Sequence, residues 1–153
     1  MITYAQMCDA ITAYLATAAS LKRTESYDEL SEGMQDTPTI QVYPEGCETV
    51  SADSGTHVAT FGGGSGTPVI QETHIINVDY YARQRSHLGE DMAALVTGID
   101  EIVTLLEAAH ECPHFGLDGI KNYQWSWRRV IFDYGGQDNK YMGARFTITL
   151  RTF

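Results

Sequence analysis

Hydrophobic positions in the first eighteen residues recur at helical spacing. Tyr4, Met7, Cys8, Ile11, Tyr14, Leu15 and Ala18 fall three or four apart, which predicts one helix with a single buried stripe. Thr3 followed by Gln6 is a capping-box pair and sets the helix start. From Ser20 to Asp36 the rhythm vanishes into a polar, acidic stretch, read as a loop. TPTIQVYPEG then alternates, with Ile40 and Val42 on one face and Thr39, Gln41 and Tyr43 on the other. Pro38 and Pro44 bracket it, so the strand should be short and peripheral. The Gly/Ser/Thr-rich stretch over 45–67, ending in FGGGSGTP, predicts a long flexible hairpin loop.

VIQETHIINVDYYAR alternates again, placing Ile70, His74, Ile76, Val78, Tyr80 and Ala82 on one face. Leu88, Met92, Leu95, Val96, Ile99, Ile102, Val103 and Leu106 then return to the helical period. Ser86 is the expected N-cap, with Glu90 and Asp91 where the helix dipole favours acids. YQWSWRRVIFDY and KYMGARFTITLRTF, joined by GGQDN, read as a closing pair of strands. In the first of them Trp125 and Trp127 share a face, but Val130, Phe132 and Tyr134 are one residue out of phase. A β-bulge near Arg128–Arg129 is expected to restore the register. The fold class is α+β, one domain over residues 1–153. Its order is α-β-β-α-β-β, with one antiparallel four-stranded sheet and two amphipathic helices on one face.

Composition adds little beyond a globular chain: 43% hydrophobic and 20% charged residues, with no apolar run near the ~20 residues of a membrane helix. The N-terminus lacks a basic region and carries Asp9, so it does not read as a secretory signal. Cys8, Cys47 and Cys112 are odd in number, and free thiols in a reducing compartment are expected. Charge changes the picture more. The net charge of −10 opposes gripping nucleic acid. Residues 24–54 hold eight acids and no Lys or Arg, among them Glu25, Asp28, Glu29 and Glu32. Residues 121–153 carry a balance of +4, with Arg128, Arg129, Arg145 and Arg151. A chain polarised in this way can pair head to tail with its own copies. Two solvated faces of opposite sign would give the same pattern.

Candidate chemistry is sparse. HECPH, residues 110–114, matches the zinc-peptidase pattern H-E-x-x-H, which works only where both imidazoles share a helical face. Pro113 removes a backbone donor and clashes with the carbonyl of residue 109, so the helix should stop near His110 and leave His114 beyond it. A looser zinc cluster of His110, Cys112, His114 and Cys47 would need distant segments to meet. FGGGSGTP lacks the lysine and the following helix of a phosphate loop. No cysteine has a local histidine-plus-acid signature, and no G-x-S-x-G elbow is present. The acid pairs Asp28-Glu29, Glu90-Asp91 and Asp100-Glu101 read as solvated charges; the latter two sit on the predicted helix, where sequence neighbours do not converge. Trp125 and Trp127 could form a base-stacking platform. The acidic total points instead to core or interface.

The N-terminal helix YAQMCDAITAYL, the short strand TPTIQVYP, the long hairpin, HIINVDYYAR, the amphipathic helix and the closing ARFTITLRTF together resemble the tail terminator proteins of long-tailed bacteriophages and the related small head–tail joining proteins. The likeness covers nearly the whole chain and lies in element order, length and character. It implies a hexameric ring of this subunit that caps the tail tube and meets the head connector, without catalysis or cofactor. It also implies a place in the virion neck after assembly in the host cytoplasm, with no membrane. Genomic DNA would pass a negative pore without specific binding. By the same likeness Phe61, Gly62, Gly63, Gly64, Ser65 and Gly66 would dock onto the tube or connector; the charge polarity is compatible with it, with the acidic and basic residues named above pairing between subunits. A neck or head-completion protein on the portal side is the alternative. From a different class, a small cytoplasmic α+β enzyme would be marked by a buried titratable cluster.

Overall fold

A computed structural model describes residues 2–18, 21, 23–26, 38–50, 71–84, 91–111, 113–133 and 140–152. Its elements are α1 (Tyr4–Leu15), β1 (Arg23–Ser26), β2 (Thr39–Val50), β3 (Gln71–Gln84), α2 (Asp91–Ala108), β4 (Ile120–Asp133) and β5 (Lys140–Thr152). The four long strands form one antiparallel sheet, and the two helices pack on one face of it, in the α-β-β-α-β-β order that the pattern predicts. Across the sheet the strands lie β1-β2-β3-β5-β4.

Sequence and structure agree where side chains dictate the element. The Thr3 hydroxyl accepts from the Gln6 amide and the Gln6 side chain accepts from the Thr3 amide, a complete capping box. Met7, Cys8, Ile11 and Leu15 of α1 are fully buried. Leu95, Ile99, Ile102 and Leu106 are the buried positions of α2, packed against Ile40, Val42, Ile76, Val78, Tyr80, Ala144, Phe146, Ile148 and Leu150 of the sheet. Each fully buried aliphatic side chain stabilises the fold by about 1.5–3 kcal/mol. Gly98 lets α2 settle close to the sheet, because a Cβ there would stand 1.9 Å from the Tyr80 hydroxyl.

Three expectations need correction. Residues 23–26 are a strand and not loop: β1 pairs in parallel with Thr39–Val42. Four polar-rich residues held by backbone hydrogen bonds carry no periodicity to read. Next, β2 is twelve residues long and runs through Pro44. The proline is accommodated beside a register shift between Pro44 and Gly46, on a stretch that β1 does not cover. Finally, β4 has no bulge at Arg128–Arg129. Its only irregularity against β5 lies between Ile120 and Asn122. The phase change is real instead: Val130 and Phe132 pack with Tyr81 and Tyr141 in a second apolar cluster on the face away from the helices. Ser86, Leu88 and the FGGGSGTP segment lie outside the described residues.

Candidate subunit interface

The HECPH corner finishes α2. Pro113 follows the helix end, and its extended backbone opens a short 3-10 turn over His114–Gly116. His110 is exposed and His114 is buried. Both imidazoles lie against the Tyr123 ring, with centroids at 5.0 and 5.5 Å. His114 Nδ1 is 2.7 Å from the Ala109 carbonyl. A carbonyl only accepts, so Nδ1 carries the proton. The Tyr14 hydroxyl donates to Leu105 O at 2.7 Å and the Tyr123 hydroxyl to Leu106 O at 3.2 Å. Three side chains from three segments therefore satisfy carbonyls at the end of the helix. Burial, with a smaller contribution from Tyr14, raises the Tyr123 phenol well above its ordinary value. Among the described residues no group of three or more His, Cys, Asp or Glu could hold a metal ion. Cys112 lies outside them.

A second titratable cluster joins α1 to the β2–β3 pair. His74 is buried, its Nε2 is 3.1 Å from Glu72 Oε2, and its Nδ1 has no hydrogen-bond partner. The Tyr4 ring stands edge-on to it at 5.1 Å while the Tyr4 hydroxyl donates to Gly46 O at 2.8 Å. Cys47 is the cross-strand neighbour of His74. Burial first, then the Cys47 thiol, pushes the Tyr4 phenol up to about 12. These contacts seat the start of α1 on the sheet.

On the sheet face away from the helices, Asp79 is buried and accepts from three donors. Arg145 Nε reaches Oδ1 at 2.7 Å, Arg145 Nη2 reaches Oδ2 at 3.1 Å, and the Tyr43 hydroxyl reaches Oδ2 at 2.8 Å. The hydrogen bond to Asp79 raises the Arg145 guanidinium above its ordinary range, and burial works against it. Arg145 also sits over the Phe132 ring, 5.8 Å from its centroid. Its charge is thus neutralised inside the subunit. Beside this network Asn77 donates to Glu45 and accepts from Thr147.

The strand register aligns these groups in one row across all five strands. Glu25 of β1 pairs with Gln41, Gln41 with Asp79, Asp79 with Arg145, and Arg145 with Arg128 of β4. The row ends in an acid at one sheet edge and a base at the other. Arg128 and Arg129 are both exposed, on opposite faces of β4. Arg151 is half-buried on β5, in register with Thr73 and Asn122. Asp28, Glu29, Glu32 and Phe61 to Gly66 lie outside the described residues.

Composition gave no sign of the apolar strip beside β4. Tyr123, at the start of that strand, is buried under the end of α2. Farther along, the helix-side face is uncovered: Trp127 is 45% exposed and Ile131 43%, with Met92 at 44% and Val96 at 51% on α2. Together these four are the large exposed apolar side chains of the described residues. The available signal was the alternation of Trp125, Trp127 and Ile131 continuing unbroken through Arg129. Elsewhere, a shallow groove of about 430 Å³ runs between the end of α1 and α2, lined by Ala18, Thr97, Asp100, Glu101, Thr104 and Leu105.

No protein-family model matches this chain, and no curated protein matches it significantly.

Proposed function

We propose that this protein is a structural ring subunit of the tail-terminator type, closing a phage tail tube and meeting the head connector. The observation that carries the reading is the charged row with Glu25 at one sheet edge and Arg128 at the other. Such a row ends in an acid on one edge and a base on the other, which suits head-to-tail association and ring closure. An uncovered apolar strip next to the basic edge adds support, since a large exposed patch marks an interaction surface. The order and character of the elements, which resemble those of tail terminators, supply the assignment to a tail.

Two of the buried titratable groups have structural partners that account for their positions, while His74 Nδ1 and the Tyr80 hydroxyl have none. Asp79 is answered by Arg145 and Tyr43, and His114 by the Ala109 carbonyl. Native mass spectrometry with and without added zinc, followed by electron microscopy with isolated tail tubes, tests the proposal. A metal-free six-subunit mass and density at one tube end are the expected results. Stoichiometric zinc on a monomer would reopen the enzyme reading. Binding to isolated head connectors but not to tubes would move the protein to the neck.

A further inference from the structure

We infer that β4 of one copy pairs antiparallel with β1 of the next, in the register that sets Arg128 opposite Glu25. The inference takes its biological role from the ring reading above, but its grounds are the strand directions and the row of charges. β1 runs parallel to β2, and every later neighbour in the sheet is antiparallel. The two edge strands therefore point in opposite directions. A copy placed so that the sheet continues brings β4 beside β1 as an antiparallel pair.

The charges select this register. Within the subunit the row reads Glu25, Gln41, Asp79, Arg145, Arg128. Continuing it places Arg128 next to the neighbour's Glu25, which repeats the Asp79–Arg145 pairing across the joint. The adjacent register positions follow: Arg129 meets Thr24, and Trp127 meets Ser26. A β4–β4 pair centred on the arginines would set Arg128 against Arg129 of the other copy, and like charges opposed across strands destabilise that register. β1 instead offers Arg128 an acid.

The helix layer fits the same continuation. α1 lies over β1 and β2, and α2 lies over β3 and β5, which leaves the Trp127–Ile131 side of β4 bare. In a continued sheet the neighbour's α1 falls into that gap, beside Met92 and Val96. Tyr14 turns toward α2 through its bond to Leu105 O. At 100° per residue this leaves Ala5, Thr12 and Ala16 on the opposite flank with Asp9 beside them, and the three small residues allow close approach to the tryptophan.

The test uses the full chain with Cys47→Ser and Cys112→Ser, and cysteines introduced by Thr24→Cys and Arg129→Cys. These two positions face each other only across the proposed joint, within the span of a disulfide. Mild oxidation should give a covalent ladder extending past the dimer. Adding Arg128→Glu or Glu25→Lys should cut the ladder at least tenfold, and both together in one chain should restore it. Circular dichroism confirms that each variant is folded. No ladder, a product that stops at the dimer, or equal cross-linking from an off-register pair (Thr24→Cys with Ile131→Cys) would overturn the joint. Oxidation traps passing encounters, so a largely monomeric solution is still informative. Tube-end binding is scored separately: a ladder-forming protein that ignores tubes keeps the joint and loses the terminator assignment, and tube binding without a ladder does the reverse.

Discussion

Replacing Gly98 with alanine sets two known effects against each other. In an exposed helix interior the change stabilises by about 1 kcal/mol, since glycine is the poorer helix former. Here the new Cβ would stand 1.9 Å from the Tyr80 hydroxyl oxygen, 2.3 Å from Cζ and 2.8 Å from Cε1. Carbon contacts settle near 3.5–4.0 Å, so α2 or the ring must move by more than 1 Å. Tyr80 is fully buried and cannot retreat freely. Overpacking of this kind costs about 1–3 kcal/mol, and three overlapping ring atoms favour the upper end. The net expectation is a loss of about 2 kcal/mol, a fall in Tm of about 4–8 °C for a chain of this size. Tyr80→Phe should act in the opposite direction. The hydroxyl is buried without a hydrogen-bond partner, and its removal should stabilise by about 1 kcal/mol. In the double variant the rescue is partial, because Cζ remains at 2.3 Å. Urea unfolding of the four proteins gives the coupling directly. A Gly98→Ala protein as stable as the parent, or more so, would refute the close seating of α2 on Tyr80.

Other outcomes follow from the same contacts. Asp79→Asn should cost about 3 kcal/mol, the low end for breaking a buried ion pair because Arg145 keeps 28% exposure, with urea unfolding as the readout. His114→Ala should lower stability by about 1–3 kcal/mol by orphaning the Ala109 carbonyl, whereas His114→Asn, which retains a donor, should lose less; added zinc should leave the parent's Tm unchanged. Burial pushes Tyr80 from its ordinary value of 10 up to about 12. Both states hold the proton below pH 10, and only the folded state holds it between 10 and 12, so stability should fall across that window and fall less in Tyr80→Phe. Burial likewise pushes the Cys8 thiol up to about 11, while Cys47 is exposed; in a Cys112→Ser background a disulfide reagent should titrate one thiol rapidly and the second only on unfolding.

What could be read from the sequence was whatever side chains specify locally. The Thr3/Gln6 cap, the alternation of β3 and β5 and the halt imposed by Pro113 each follow from residues close together in the chain. β1 could not be read in this way, because RTES is held by its neighbour's backbone and carries no apolar pattern. The blocks of opposite charge were visible, but their geometry was not. That Asp79 neutralises Arg145, so that Arg128 and not Arg145 presents the free charge, depends on a register linking residues 66 apart.

The phase break in β4 shows why such a departure carries information. Reading Trp125, Trp127, Val130 and Phe132 as one core face requires a bulge, because a strand between one core and solvent needs a single apolar face. The strand keeps its register and has two apolar faces instead. Val130 and Phe132 serve the small cluster with Tyr81 and Tyr141, and Phe132 closes over Gly143, where a Cβ would lie 2.6 Å from its ring. That cluster fixes the strand's phase. Once the phase is fixed, Trp127 and Ile131 must point to the helix side, and the close approach of α2 at Gly98 holds that helix over β3 and β5, short of covering them. The uncovered strip therefore follows from two packing constraints on the isolated subunit. A long edge strand bearing exposed Trp and Ile is a hazard in a free monomer, and its arginines narrow what can join it. The partner left open to it is an edge of opposite direction that sets Glu25 where Arg128 can meet it, which the same sheet presents at β1.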